Sequence, residues 1–333
     1  MADYQIRFSE PYLTGQEISQ IANSLNTGQI CGDGEFTRKC EETLSEISQT
    51  TETLLTTSCT DALEMALLLC NLNQGDEVLM PSFNFSSAPA IALALGLKPV
   101  FVDIESKTLN INPQLIDAAV TDRTRAVIPI HYGGVPAKIE EIGEIATKHG
   151  LFVIEDNAHS LGSTINGKPL GSFSQVSTLS FHSTKNLSCG EGGALQTSDN
   201  EFIERAHILR EKGTNRRSFI NGQVDKYTWV DIGGSFLPSE YTAAYLSAQL
   251  DSYNQIQEKR ITIWNTYREL LADWATHNQV AIAPLASKNT SYSGHIFWML
   301  FEETQMQNKF INWMKEHQIQ VTSHYRSLNT APA

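Results

Sequence analysis

From about residue 54, the chain alternates between short apolar runs and longer stretches in which apolar residues recur at helical spacing. The short runs predict strands at 54–57, 77–80, 98–102, 126–130, 151–156 and 175–181. The longer stretches predict helices at 61–70, around 87–95 and at 139–149. This order is typical of an α/β fold, in which βα units build a mostly parallel sheet flanked by helices.

The alternation stops near Ser239, where a long helical pattern begins and is followed by mixed segments. A change of this kind indicates a second domain. We therefore expect a large domain over residues 1–240 and a smaller C-terminal α/β domain over residues 241–333.

Composition and charge narrow the possible functions. Hydrophobic residues make up 41% of the chain and charged residues 18%, as in a soluble globular protein. The net charge of -13 disfavours nucleic acid and anionic membranes as partners. The polar N-terminus and the lack of a stretch of about 18 apolar residues predict a cytoplasmic protein without a signal peptide or membrane span.

Two local sets of residues have more than one interpretation. The five cysteines lack the spacing of a zinc site or a disulfide framework, so we expect free thiols and no metal. A basic cluster could attract a carboxylate or a diphosphate, or it could be the solvated end of a helix. This cluster comprises Arg210, Lys212, Arg216 and Arg217.

Two charged residues follow predicted strands, where ligands bind in open α/β sheets. Lys185 follows the strand at 175–181 and precedes a loop of small residues at 188–193. Asp156 ends the strand at 151–156. A lysine in a loop is usually a solvated charge, and an aspartate at a strand end is usually a turn residue. A pyridinium N–H would nevertheless suit a buried Asp156, and a lysine can bind a carbonyl cofactor covalently.

Two further segments fit a planar cofactor that carries a phosphate. Thr-Ser-Cys-Thr-Asp at 57–61 opens a helix directly after the first strand, and free N–H groups at a helix start bind anions. Pro-Ser-Phe-Asn-Phe at 81–85 follows the second strand and could stack an aromatic face on the ring. Helix capping and core packing are the ordinary roles of such residues, but here all four features occur on one predicted sheet.

These residues resemble the DegT/DnrJ/EryC1/StrS family of sugar aminotransferases, which have the fold of aspartate aminotransferase, fold type I of the pyridoxal-phosphate enzymes. The most specific segments are Ser-Phe-His-Ser-Thr-Lys-Asn at 180–186 with Gly-Glu-Gly-Gly at 190–193, and the stretch from 210 to 233. The second stretch is particularly similar to dTDP-4-amino-4,6-dideoxygalactose transaminases. The resemblance implies the cofactor pyridoxal 5'-phosphate, L-glutamate as donor, a dTDP-4-keto-6-deoxyhexose as acceptor, and a homodimer.

The resemblance also assigns residues to roles. It makes Lys185 the lysine that binds the cofactor as a Schiff base, Asp156 the partner of the pyridine nitrogen and Phe85 the stacking aromatic. The phosphate would be held by Cys59, Thr60 and Ser180, and from the neighbouring subunit by Thr228. The sugar-nucleotide site would include Gln29, Cys31, His324 and Tyr325.

Two features depart from the family pattern. His159 stands where the family commonly has a glutamine beside the cofactor's phenolic oxygen. Because histidine can also donate a hydrogen bond, we expect the cofactor to bind, with its electronic properties altered by the different donor. The sequence ends soon after His324 and Tyr325, so we expect that the small domain could be truncated.

Three functions remain as alternatives to 4-amination of a dTDP-sugar. They are 3-amination, dehydration on the same cofactor, and a regulatory role without catalysis. Related 3-dehydratases have histidine in place of the lysine, so Lys185 favours transamination.

Overall fold

The computed structural model describes residues 4–333. Its strands are β1 (Glu52–Thr56), β2 (Glu77–Pro81), β3 (Lys98–Val102), β4 (Thr124–Val127), β5 (Phe152–Asp156), β6 (Thr164–Ile165), β7 (Lys168–Pro169), β8 (Val176–Ser180), β9 (Gly193–Thr197), β10 (Ala281–Ile282), β11 (Thr290–Ser291) and β12 (Met299–Leu300). Its α-helices are α1 (Glu17–Asn26), α2 (Glu35–Ser48), α3 (Cys59–Leu69), α4 (Ser87–Ala94), α5 (Pro113–Ala119), α6 (Ile139–His149), α7 (Asn200–Arg210), α8 (Arg216–Ile220), α9 (Glu240–Asp251), α10 (Tyr253–His277) and α11 (Thr304–Glu316).

The central sheet has seven strands in the order β1-β9-β8-β5-β4-β2-β3. Strand β9 runs antiparallel to both of its neighbours, β1 and β8, and the other neighbouring strands are parallel. Six strands therefore point the same way, and their carboxyl ends meet at one edge of the sheet. The predicted α/β class with a mostly parallel sheet is confirmed.

Helices cover both faces of this sheet, because successive strand residues point to opposite sides. Leu54 of β1 packs in a core cluster with α3 and α7, whereas its neighbour Leu55 packs in a second cluster with α2 and α9. A third cluster joins α5 and α6 to β4 and β5. Strand residues that are buried on both faces explain why the sequence shows continuous apolar runs rather than strict alternation.

The predicted elements are present, with differences at their ends. The helix predicted at 139–149 is α6 with the same bounds. The strand predicted at 126–130 is β4, which ends at Val127, although Ile130 still bridges to Asp156. The long helical pattern after Ser239 forms two helices, α9 and α10, separated at Ser252.

The C-terminal part is less regular than the central sheet. Strands β10 and β12 pair with each other, and β11 pairs with β6 beside the central sheet. Helix α9 packs on α1 and α2, and α10 contacts β10. The domain boundary after residue 240 stays a prediction. Among residues 4–333, no helix is both long enough and apolar enough to cross a membrane.

Candidate active site

The carboxyl ends of the parallel strands open into a cleft of about 2280 Å³. Its wall includes the start of α3, the ends of β5 and β8, and residues of α10 and the C-terminal part. Parallel strands place the residues that follow them at one edge, so this is the position expected for a ligand site. The predicted site residues in the wall are Cys59, Thr60, Phe85, Asp156, His159, Ser180, Lys185, His324 and Tyr325.

Lys185 and Asp156 form the charged centre of the cleft. Burial lowers the pKa of the Lys185 amine, and this effect is opposed by Cys59 and by the negative charge of Asp156. Burial raises the pKa of the Asp156 carboxyl, opposed by an N–H from Ala158 and by the charge of Lys185. The Lys185 amine makes no hydrogen bond within the described chain. It is therefore available to react with a carbonyl group.

Asp156 is held at the end of β5 with unused hydrogen-bonding capacity. It is 5% exposed, and the N–H of Ala158 donates to its Oδ1 at 3.0 Å. A carboxylate this deeply buried is stable as an anion when it faces a cation or several donors. The N–H of a protonated pyridine ring is such a donor, so Asp156 fits the ring of pyridoxal 5'-phosphate.

The start of α3 fits the phosphate group. Ser58 caps this helix and accepts a hydrogen bond from the N–H of Asp61, whereas the N–H groups of Cys59 and Thr60 make no hydrogen bond within residues 4–333. Free N–H groups and the helix dipole both favour an anion here. Burial raises the pKa of the Cys59 thiol to about 12, so the thiol stays neutral beside a phosphate.

Gly193 at the start of β9 allows α3 to approach the sheet closely. A Cβ on Gly193 would lie 2.4 Å from the N atom of Cys59 and 2.4 Å from the carbonyl carbon of Ser58. Both are backbone atoms, so they cannot move away without moving the helix start. The glycine therefore sets the distance between the anion site and the end of β8.

The surroundings of His159 define its tautomer. Its Nδ1 accepts a hydrogen bond from the N–H of Gly133 at 3.2 Å, so in the neutral ring the proton is on Nε2. Burial and the charge of Lys185 lower the pKa of His159 well below its usual range, which keeps the ring neutral. His159 can thus donate one hydrogen bond from Nε2, as the glutamine common in the family would from its amide.

Several aromatic rings form one side of the cleft. Phe85 is 61% exposed, and its ring centroid is 6.4 Å from that of Tyr325. His324 stacks on Tyr325 at 4.4 Å, and its Nδ1 lies 3.1 Å from the hydroxyl of Tyr132. An exposed ring at the mouth of a cleft can stack on a planar ligand.

Three predicted site residues do not line the cleft within this chain. Gln29 and Cys31 lie on an exposed segment before α2, and Thr228 lies on an exposed loop, where its N–H donates to Asn215 Oδ1 at 2.7 Å. The roles predicted for all three stay predictions.

The three arginines of the basic cluster pair with carboxylates instead of being free to bind an anion. Arg210 is 2% exposed and pairs with Glu41 and Asp33. Arg216 also pairs with Asp33, at 3.5 Å. These pairs connect the segment before α2 to the end of α7 and the start of α8. A structural role therefore accounts for the arginines.

The cleft wall also contains residues that the sequence analysis did not identify, among them Tyr132, His295 and Arg260. Tyr132 follows β4, so it could have been identified because ligands bind at the carboxyl ends of parallel strands. His295 and Arg260 come from the irregular C-terminal part and from α10, where no pattern marks them. The His295 ring lies 4.4 Å from that of His159, and its Nδ1 is 2.8 Å from Asn186 Oδ1.

The sequence profile of the DegT/DnrJ/EryC1/StrS aminotransferase family matches residues 11–333. The chain belongs to this family. It is therefore an aminotransferase, and its cofactor is pyridoxal 5'-phosphate. The resemblance stated from the sequence is confirmed, as is the fold.

The chain is similar to other proteins over nearly its whole length. The uncharacterized protein MJ1066 of Methanocaldococcus jannaschii is 30% identical over 328 residues, which are 97% of this chain and 84% of MJ1066. Spr1654 of Streptococcus pneumoniae, named as a sugar aminotransferase, matches in its PMP form with a TM-score of 0.90 and 26% identity, over 99% of this chain and 86% of that one. PseC of Helicobacter pylori, an aminotransferase of pseudoaminic acid biosynthesis, matches with a TM-score of 0.88 and 25% identity, over 99% of this chain and 87% of that one.

The role of Gly193 can be tested with Gly193→Ala. The added methyl group would displace the start of α3, and overpacking of this size should weaken cofactor binding by at least about tenfold. Titration of the apoprotein with pyridoxal 5'-phosphate, followed by absorbance, measures this. Gly143→Ala on α6 is the control, because a Cβ there meets nothing within 4 Å. Unchanged affinity in a folded Gly193→Ala variant would contradict the account.

Proposed function

We propose that this protein transfers the amino group of L-glutamate to a nucleotide-linked keto-deoxysugar. The proposed acceptor is dTDP-4-keto-6-deoxyglucose, and the product is a dTDP-4-amino-4,6-dideoxyhexose with galacto configuration. The observation that carries the proposal is the arrangement of Lys185, Asp156 and the free start of α3 around one cleft. The identity of the sugar rests on the resemblance of the stretch 210–233.

Each residue of the centre has a part in the proposed transfer. Bound pyridoxal 5'-phosphate supplies an electron sink for the carbon that loses a proton. Asp156 would accept a hydrogen bond from the ring nitrogen and so keep it protonated. His159 would hold the ring from the side of its phenolic oxygen through the proton on Nε2. The lowered pKa of Lys185 favours its neutral amine, so Nζ would take the proton from the donor carbon and pass it to the bound cofactor, and would move a proton in the opposite direction when the acceptor is aminated.

The same cleft would serve donor and acceptor in turn. Glutamate leaves as 2-oxoglutarate before the sugar enters, so we expect ping-pong kinetics. His324 and Tyr325 lie in the wall together with Lys185, and their rings can pack on a sugar or a base. The size of the cleft, about 2280 Å³, supports an acceptor much larger than glutamate.

The proposed function can be tested with the purified protein in two stages. L-glutamate alone should abolish the visible absorption band of the bound cofactor, and 2-oxoglutarate should restore it. Addition of dTDP-4-keto-6-deoxyglucose should then give an amino sugar whose amine position and configuration are read by NMR.

Lys185→Ala should lower the rate of this transamination by at least about a thousandfold, because it removes both the cofactor link and the base. Lys148→Ala, on the surface of α6, is the control.

The alternatives predict other outcomes in this experiment. An amine at C3 would show 3-amination, and a deoxygenated sugar without new nitrogen would show dehydration. A protein without any spectral response to glutamate would contradict glutamate as the donor, and a protein that binds no cofactor at Lys185 would favour a regulatory role.

We also propose that the active unit is a cytoplasmic homodimer. The loop around Thr228 exposes large apolar side chains, with Tyr227 at 53% and Trp229 at 76% exposure. Exposed apolar residues that cluster on one segment are typical of a protein interface. A two-fold contact would cover them and could bring Thr228 to the phosphate of the partner's cofactor.

Trp229→Asp should test the dimer. The buried charge would disfavour the contact, so sedimentation velocity should show a monomer, and cofactor affinity should fall with it. Leu270→Asp on α10, at the same 76% exposure as Trp229, is a matched control outside the cleft wall that should leave the dimer intact. A Trp229→Asp protein that still sediments as a dimer would place the interface elsewhere.

A further inference from the structure

His295 is a side chain of the cleft to which no role has been assigned above. It follows β11 on the C-terminal segment and lines the same cleft as Lys185. The centroid of its ring lies 4.4 Å from that of His159, and the two ring planes are inclined by 32°. Two imidazole rings therefore lie side by side in the cleft that contains the lysine.

Asn186, the residue after Lys185, determines which nitrogen of His295 carries the proton. Asn186 Nδ2 donates to Gln257 Oε1 at 2.9 Å and to the main-chain oxygen of Ser293 at 2.8 Å. Both N–H groups of the amide are thus used, and its Oδ1 faces Nδ1 of His295 at 2.8 Å. An amide oxygen only accepts hydrogen bonds, so Nδ1 is the protonated nitrogen of His295.

The other nitrogen of His295 is a hydrogen-bond acceptor. Burial and the charges of Lys185 and Arg260 lower the pKa of His295 well below its usual range, so the ring is neutral. A neutral imidazole with its proton on Nδ1 has a lone pair on Nε2. Within residues 4–333 this nitrogen makes no hydrogen bond, and the side chain lines the cleft. Nε2 is therefore available to a donor in the cleft.

The neighbouring His159 has the opposite tautomer. Its Nδ1 accepts from the N–H of Gly133 at 3.2 Å, so its Nε2 carries the proton. The Nε2 atom of His159 can donate to a ligand, but it cannot accept a hydrogen bond from an amine. Of these two adjacent rings, only His295 can accept a hydrogen bond from an ammonium group.

Lys185 needs such an acceptor while its amine holds a transferred proton. The amine makes no hydrogen bond within the described chain, and burial disfavours its charged form, which lowers its pKa. A buried ammonium is costly unless an anion or hydrogen-bond acceptors face it. In the proposed transfer Asp156 is engaged with the ring nitrogen, and burial keeps the Cys59 thiol neutral by raising its pKa to about 12.

We propose that His295 is a positioning residue whose Nε2 accepts a hydrogen bond from the Lys185 amine during proton transfer. This inference rests on the proposed transamination and adds the group that holds the amine while it carries the proton. The proton stays on Nζ and is not passed to His295, so no bond to the histidine forms or breaks. Asn186 is joined to Lys185 through the chain and to His295 through a hydrogen bond, so it fixes the acceptor relative to the amine.

Two substitutions separate the two nitrogens of His295. The amide nitrogen of an asparagine lies close to the position of Nδ1 in histidine, so His295→Asn keeps a donor for Asn186 and removes the acceptor. The amide of a glutamine reaches the position of Nε2, so His295→Gln keeps an acceptor there and loses the donor.

The half-reaction with L-glutamate tests the acceptor. His295→Asn should lower its saturated rate by about ten- to a hundredfold, since a hydrogen bond to a charged group is lost. The half-saturation concentration of glutamate and the absorption band of bound cofactor should stay unchanged. The isotope effect with glutamate deuterated at the α-carbon should rise, because proton transfer limits the rate more strongly. His295→Gln should regain most of the rate.

A second measurement needs no turnover. In the apoprotein, the reactivity of Lys185 with acetic anhydride across a pH series, read by peptide mass mapping, reports the titration of its amine. His295→Asn should shift the midpoint of this profile to lower pH, because the acceptor stabilises the charged amine. His277→Asn, at the exposed end of α10, is the matched control and should change neither the rate nor the profile.

The outcomes separate this inference from the proposed function. If His295→Asn keeps the wild-type rate and profile, Nε2 does not hold the amine. If it raises only the half-saturation concentration of glutamate, His295 contacts the donor and the inference is wrong. If His295→Gln is as slow as His295→Asn, the histidine acts through packing, which also contradicts the inference. If the wild-type protein does not respond to glutamate, the proposed function fails instead, and the reactivity profile still tests the hydrogen bond.

Discussion

The rest of the site depends on holding an amine and a carboxylate together at the edge of the sheet. Lys185 and Asp156 each lose hydration in the cleft, and the opposite charge of one offsets part of the burial of the other. Asp156 belongs to β5 and is backed by β8, its parallel neighbour, while Lys185 follows the end of β8. The loop with Lys185 is held by Arg260 through its carbonyl oxygen and by the contacts of Asn186.

The position of the Lys185 loop at the carboxyl edge of the sheet accounts for the antiparallel direction of β9. Strand β9 lies between β8 and β1, and it returns the chain from the Lys185 loop to the opposite edge of the sheet. The glycine at its start leaves room for α3, whose free N–H groups face the cleft. In the proposed binding mode, three neighbouring elements would hold the cofactor: β5 its pyridine nitrogen, the Lys185 loop its covalent link and α3 its phosphate.

The central strands and the charged residues at their ends could be predicted from the sequence, because both depend on residues that are neighbours along the chain. Apolar runs marked the central strands, and polar residues after them marked Asp156 and Lys185. Arg260 and His295 could not be predicted, because they reach the cleft through tertiary packing of α10 and of an irregular segment. The pairing of Arg210 with Glu41 was also hidden, since its partner lies far away along the chain. Sequence spacing carries no signal for such contacts.

The most direct test of the central claim is to trap the cofactor on its lysine. The holoprotein would be reduced with borohydride, digested and mapped by mass spectrometry. The account predicts one pyridoxyl adduct, on Lys185, and its loss when the protein is first treated with L-glutamate. An adduct on another lysine, or none on a protein that shows the visible band, would contradict it.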